Sequence, residues 1–500
     1  MEKFGLFING KWVEPSSADR FETRNPSDGK PLASFPSANA KDVSRAVDAA
    51  ADAFEKWRQI PAPMRGELLL EAALNIQRRK EELAKLVSTE MGKVIAEARG
   101  EVQEAIDFFK YIAGEGRRLF GETTPSELPQ KFNMTVRLPK GPVALITPWN
   151  FPISIPSWKM GAALISGCTL VLKPASDTPL CAAKFIEVVN EAGFPPGVIN
   201  MVTGQGAVAG TALIEHEKIR AVSFTGGVST GREVYSSGAR RLIQVHLELG
   251  GKNPLIVMDD ANVELAVEGT LFGAFGTAGQ RCTATSRLLV HRDVYEQVLD
   301  KLVERVERFR IGNPLEEETD MGPVINRKAR DSILNYIESG KEEGGKIITG
   351  GHALERGEFS AGNYVEPTII ETKHGTRISR EEIFGPVLSV IRCGDLKEAF
   401  RIANDVPYGL SSSIYTRNLK TALQAITELQ SGITYVNAPT IGAEIHLPFG
   451  GVKNTGTGGR EAGSVAIEEF TELKSVFIDY SDRLQKAQID TLSRFKEVAD

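Results

Sequence analysis

Cysteine is scarce: Cys168, Cys181, Cys282 and Cys393 are all that 500 residues contain. Their wide, unclustered spacing excludes a disulfide framework and a cysteine-rich zinc site, and it fits a reducing compartment. The six histidines are scattered and form no His-Glu-x-x-His pair, so no metal ligands are visible. Basic excess is also missing. The formal charge is −6, the sequence pI is near 5.8 and no Lys/Arg-rich block occurs. A phosphate-backbone footprint is therefore absent and a nucleic acid partner is not expected. The N-terminal MEKFGLFINGKWVEPSS lacks the apolar stretch and small-residue cleavage signal of a secretory peptide, so the expectation is a cytoplasmic protein. Long uninterrupted apolar runs are lacking as well. The most membrane-like stretch, residues 143–173, is broken by Pro148, Pro152, Pro156 and Lys159. It reads as two buried strands around an irregular loop, and no membrane partner is expected.

What is present is an ordinary globular balance, 41% apolar and 25% charged residues. The chain is too long for one hydrophobic core, which favours two or three domains or a bilobal unit. Val43, Val47, Ala50, Phe54 and Trp57 recur at helical spacing after Asp42, a candidate N-cap, and two further amphipathic stretches extend to about residue 120. From Pro142 to about Met258 short β-rich runs alternate with helical segments, the pattern of parallel βαβ units. A second alternating series follows. Residues 122–140 match neither rhythm and read as an arm that pairs elsewhere.

Cys282 lies in FGTAGQRCTATSR, residues 275–287, among small residues that let a ligand approach the backbone. A thiol becomes a strong nucleophile only as thiolate, so a reactive cysteine needs a partner base, a positive charge or helix-end amides. Glu248, in HLELGGKNP (246–254), ends a β-rich run directly before two glycines. A carboxylate partly desolvated there has its pKa raised toward that of a general base. Taken singly, each residue also reads as an ordinary loop cysteine or turn glutamate.

Together these clusters, 34 residues apart, resemble the aldehyde dehydrogenase superfamily over essentially the whole chain: Leu247 to Lys252 match its glutamate motif and Phe275 to Cys282 its cysteine motif. The resemblance implies an α/β fold of two Rossmann-like lobes with parallel sheets and a small β oligomerisation arm. It implies a cofactor domain at 1–121 and 141–249, a catalytic domain at 250–452, and an arm and tail at 122–140 and 470–500. The activity implied is NAD(P)-dependent oxidation of an aldehyde to the acid through a thiohemiacetal and a thioester on Cys282. Thr147-Pro148-Trp149-Asn150 looks like the oxyanion segment, with Asn150 as donor, and Glu248 as the base that activates water. Lys159 and Glu461 fall where the family places a proton path from that base.

For the cofactor, the resemblance implies Lys173 at the adenosine ribose, Thr225, Gly226, Gly227 and Thr230 beneath the pyrophosphate, and Glu382 and Phe384 at the nicotinamide half. Thr147, Pro148, Trp149, Leu249 and Gly250 complete that set. Two positions depart from the family pattern. Ser176 stands where many NAD-preferring members have Glu, which removes repulsion of a 2′-phosphate and makes NADP as well as NAD an expected cofactor. Thr457-Gly458-Gly459-Arg460, just before Glu461, is one residue longer than the commonest form. No metal is implied.

Asn437 to Pro448 look most like the branch that includes 2,5-dioxovalerate (α-ketoglutaric semialdehyde) dehydrogenases, so a small semialdehyde is the expected substrate. Arg281, His446 and Ser411 are candidates for a substrate carboxylate, and Phe449 for the pocket wall. The alternatives are a broad-range, hydroxy-aldehyde or betaine aldehyde dehydrogenase, a cofactor-independent cysteine hydrolase or acyltransferase, and a non-catalytic nucleotide-binding protein. The arm, the strand-like 473–480 and an apolar stripe at Leu484, Ala487, Leu492, Phe495 and Val498 imply strands joined across subunits in a homodimer or homotetramer.

Overall fold

The β-rich runs and the helical stretches between them fold into two seven-stranded sheets, each sandwiched by helices. The computed structural model describes residues 1–489. The first sheet runs in the order 244–248, 221–225, 142–146, 169–173, 199–201, 6–8 and 11–13. Its first five strands are parallel, and the N-terminal hairpin Leu6–Ile8 and Lys11–Val13 closes the edge in antiparallel pairing. The second sheet runs 346–349, 368–371, 387–393, 285–291, 253–257, 411–415 and 433–436, with only the first strand antiparallel. Continuous Val/Ile/Leu runs such as Pro142–Ile146 are buried along their whole length, as parallel strands covered on both faces must be.

The alternating-series reading placed the run 254–258 with the first lobe. The structure instead pairs Asn253–Val257 with Thr285–His291 and Ser411–Tyr415 of the second sheet. The chain thus leaves the first sheet at Glu248 and enters the second at Asn253.

Three further expectations are corrected. Between the strands Pro142–Ile146 and Thr169–Lys173 lies the 13-residue helix Ser154–Ser166 rather than an irregular loop. Every residue of this helix is buried, so it has no polar face to set a helical period. Pro156 falls in its first turn, where a missing N–H costs nothing. The Glu101 carboxylate, from another helix, accepts the Ile153 and Ser154 amides at 2.8 and 3.2 Å and satisfies the helix start. The helix Ala40–Trp57 is capped by Asn39, whose side chain accepts the Asp42 amide, so Asp42 is not the cap. Three helices rather than two follow it, Ala62–Arg78, Lys80–Met91 and Ile95–Glu115, because the first breaks at Arg79.

The arm closes within the chain. Lys131–Pro139 pairs antiparallel with Thr471–Asp479 over nine residue pairs, and Thr123–Pro125 forms the third strand. The two nine-residue runs match in length and satisfy each other's ladder on one side, while the outer edge of Thr471–Asp479 pairs with no other strand of the described residues. Leu484 and Ala487 of the expected stripe are exposed, while Leu492, Phe495 and Val498 lie outside the described residues. Among the described residues no helix is long and apolar enough to cross a membrane.

Candidate active site

Cys282 follows a turn that only a strong external constraint can hold. The helix Val263–Phe275 runs into Gly276–Gly279, where Thr277, Ala278 and Gly279 adopt φ of 54°, 53° and 67° in succession. Left-handed backbone is costly at residues with a Cβ. Glu97, from the helix Ile95–Glu115, offsets that cost: its carboxylate accepts the Thr277 amide at 2.9 and 3.0 Å and the Thr277 hydroxyl at 3.0 Å. At Gly279 a Cβ would stand 2.2 Å from the Gly385 carbonyl oxygen, so only glycine fits. Beyond the turn, Asn253 Nδ2 donates to the carbonyls of Cys282 and Ala284 at 2.8 and 2.9 Å and fixes the chain at the sulfur. Asn150 Nδ2 donates to the Gln280 carbonyl at 3.0 Å, which brings its amide beside the same loop.

Glu248 ends the strand Gln244–Glu248 and is buried; its Oε2 has no hydrogen-bond partner among the described residues. Burial, then the charges of Glu461 and Glu469, hold its carboxyl well above the usual carboxylate range. Gly450 has φ 150°, and a Cβ there would meet Glu248 Oε1 at 2.6 Å. Burial, with Glu382, Glu248 and Glu461 nearby, pushes the Cys282 thiol up to about 12.

Cys282 and Glu248 line one cavity of about 110 Å³, walled by Phe151, Trp158 and Phe449, with Trp158 and Phe449 edge-to-face at 5.2 Å. Of the three candidates for a substrate carboxylate, Arg281 lines this cavity, and its guanidinium donates to Glu97 at 3.0 Å. His446 is exposed and pairs with Glu444, and Ser411 is buried with its hydroxyl donated to the Thr440 carbonyl, so neither lines the cavity. The aldehyde-pocket set thus contracts, because the loop 437–448 turns His446 outward and the strand Ser411–Tyr415 buries Ser411.

A second cleft, of about 270 Å³, meets the first at Cys282 and is lined by Pro148, Trp149, Asn150, Thr225, Gly226, Gly227, Leu249, Gly250, Glu382 and Phe384. Trp149 and Phe384 pack edge-to-face at 5.4 Å. Glu382 accepts the Gly251 amide at 3.0 Å, and burial raises its carboxyl to about 7. Gly250 carries no Cβ because one would collide with the Glu382 carboxylate. The site fits a dinucleotide on two counts. Gly227 leads into the 13-residue helix Val228–Arg240, whose first amides favour a pyrophosphate. A Cβ on Gly227 would meet nothing within 4 Å, so the space beside it is open. Thr230 is exposed in the first turn of that helix. Lys173 is buried at a strand end, donates from Nζ to the Pro174 carbonyl at 3.0 Å, and is lowered to about 8 by burial. Ser176 donates to the Gly204 carbonyl at 3.1 Å. Thr147 is buried behind the cleft, its amide donated to the Lys173 carbonyl.

Behind Glu248, Lys159 is buried, ion-paired with Glu461, and donates to Ser223 at 2.7 Å. Sequence reasoning missed Glu97, Glu104 and Glu469. Glu104 lines the 110 Å³ cavity, and burial followed by the Glu101 charge raises its carboxyl to about 7. Glu97 and Glu104 lie on a helix far upstream of the cysteine motif, and nothing in the sequence sets them apart from the other acidic residues of Ile95–Glu115.

The sequence pattern of the aldehyde dehydrogenase family matches residues 12–476. The chain is 43% identical over 475 residues to the alpha-ketoglutaric semialdehyde dehydrogenase of Bacillus subtilis, covering 94% of this chain and 97% of that one. It is 41% identical over 472 residues to the 2,5-dioxopentanoate dehydrogenase of Saccharolobus solfataricus, covering 93% and 98%. The crystal structure of betaine aldehyde dehydrogenase from Staphylococcus aureus in complex with NAD+ superposes with a TM-score of 0.94 at 35% identity, covering 97% of this chain and 96% of that one.

Proposed function

The chain belongs to the aldehyde dehydrogenase family, and on that premise we propose that it oxidises a small semialdehyde, of the 2,5-dioxovalerate kind, to the carboxylic acid. The observation that carries the reading is the meeting at Cys282 of two cavities, one lined by the buried Glu248 and the other by Asn150 and the open space before the helix Val228–Arg240.

Cys282, once deprotonated, attacks the aldehyde carbon. The Asn150 amide keeps one N–H on Gln280 and has a second for the resulting oxyanion, a donor of the kind commonly worth ~10² to 10³ in rate. NAD or NADP held by Lys173, the amides after Gly227, Glu382 and Phe384 supplies the hydride acceptor. Cys282 is left as a thioester, and Glu248 takes a proton from the water that hydrolyses it. That step releases the acid and frees the thiol. Ser176 in place of a carboxylate leaves room for a 2′-phosphate, so NADP is used as well as NAD. The cellular setting proposed is the cytoplasm and the assembly a homodimer or homotetramer.

Arg281 at the cavity wall, beside a Glu104 carboxyl that stays largely protonated below about 7, suits a substrate with a carboxylate end. Glu104 also favours a second reading, because once ionised it suits the cationic or hydroxylated tail of betaine aldehyde or a hydroxy-aldehyde. A panel of aldehydes assayed with NAD and NADP in parallel separates the two. The expected result is highest kcat/KM for a semialdehyde carrying a carboxylate, loss of turnover in Cys282→Ala, and a first-turnover burst with a slow steady state in Glu248→Gln. Full steady-state turnover in Cys282→Ala would exclude the covalent route.

A further inference from the structure

A third cavity, of about 530 Å³, is lined by Gln244, His246, Arg460, Glu468 and Glu469 and shares no lining residue with the aldehyde cavity. Buried groups in hydrogen-bond contact connect the two. Glu461 lines the aldehyde cavity and pairs with Lys159; Lys159 Nζ donates to Ser223 Oγ at 2.7 Å; Ser223 Oγ donates to Glu469 Oε2 at 3.3 Å; Glu469 lines the third cavity. Resting on the function proposed above, we propose that Glu469 is the outer terminus of a proton relay that carries the proton taken by Glu248 from the hydrolytic water to solvent in this third cavity.

Each turnover leaves one proton on Glu248, in a cavity that the acyl group occupies during hydrolysis. Glu248 passes that proton to Glu461, directly or through one water. Glu461 returns it to Lys159 as Lys159 releases one of its three N–H protons to Ser223, whose hydroxyl proton passes to Glu469. One proton moves, and nothing is oxidised or reduced.

The surroundings of Glu469 suit that role. Burial, then Glu461, raises its carboxyl to about 8, so it can take and release a proton near neutral pH. His246 Nδ1 lies 3.7 Å from Glu469 Oε1, and its Nε2 is buried without a partner. Burial with the cations Lys140 and Lys159 lowers His246 to about 3, so it stays neutral and does not trap the proton. Lys140 donates to the Glu469 main-chain carbonyl at 2.6 Å, and Arg460 is turned to the carbonyls of Gly451, Gly458 and Gly459, so neither cation pairs with the Glu469 carboxylate. A Cβ at Gly459 would lie 2.7 Å from His246 Nδ1 and 3.2 Å from Glu469 Oε1, so glycine there keeps the outlet open.

The test compares the full-length wild type with Glu469→Gln, Glu469→Asp and Ser223→Ala, following the burst of reduced cofactor, steady-state kcat across pH, and rescue by imidazole. Glu469→Gln and Ser223→Ala should keep the burst, lose about tenfold in kcat, show a larger solvent deuterium isotope effect, and regain rate with imidazole. Glu469→Asp should retain most of the rate. An unchanged kcat and pH profile in Glu469→Gln would overturn the relay. So would a joint loss of burst and kcat that imidazole does not restore, the mark of a merely structural role. A wild type that reduces neither NAD nor NADP with any aldehyde would remove the functional reading and the relay with it.

Discussion

Cys282 rests as a thiol. Burial and three carboxylates, Glu382 first among them, oppose its charge. A raised acid pKa means that the charged form is scarce below it, so the thiolate fraction grows with pH toward about 12. Inactivation by iodoacetamide is therefore expected to climb steadily across neutral and alkaline pH. Glu382 itself is raised by burial to about 7, so Glu382→Gln should speed alkylation above that pH and leave it unchanged below. A pH-independent alkylation rate in the wild type would contradict this account. Cys282 and Glu248 were legible in the sequence because each sits in its own short motif. Glu469, Glu97 and Glu104 were not, since their significance arises only when helices and loops remote in sequence meet in space. His446 and Ser411 failed for the converse reason: the loop that carries the substrate resemblance was readable, but the direction of each side chain depends on how the loop turns.

The elements that aim these residues depend on a few backbone positions. Gly279→Ala should be the sharpest probe, since its Cβ would stand 2.2 Å from the Gly385 carbonyl in a left-handed turn. A loss of roughly 2–4 kcal/mol is expected, in the range for backbone strain combined with overpacking, and turnover should fall further than thermal stability alone explains. Thermal melts and kcat measured together check this; a variant with wild-type values for both would show that the turn relaxes freely. Alternating β runs and helices were readable because β-rich runs and helical spacing are local signals. The helix Ser154–Ser166 was not, because uniform burial erases its polar face and its start is satisfied by Glu101 from another helix.

At the scale of the molecule, the arm sheet presents an open edge at Thr471–Asp479, with Leu473, Phe477 and Ile478 exposed. Open edges with apolar side chains invite pairing. Light scattering of the intact chain is expected to report a dimer or tetramer, and deletion of residues 473–500 to dissociate or aggregate it. A monodisperse intact monomer at micromolar concentration would rule the assembly out. The two-sheet organisation was legible from the order of strands. The point at which the chain changes sheet was not legible from the alternation of runs alone, because the runs before and after it are equally apolar; the boundary near 249 came only from the family resemblance.

That crossing, from Glu248 to Asn253, has a mechanical consequence. The proposed base, Glu248, terminates one sheet and the proposed nucleophile, Cys282, precedes a strand of the other, so the separation of carboxylate and sulfur is set by how the two sheets pack together. The crossing is pinned in turn, because Glu248 bridges Gly456 and the Leu249 amide is donated to the Thr455 carbonyl, so the pair takes its alignment from the two lobes assembled together and from neither alone.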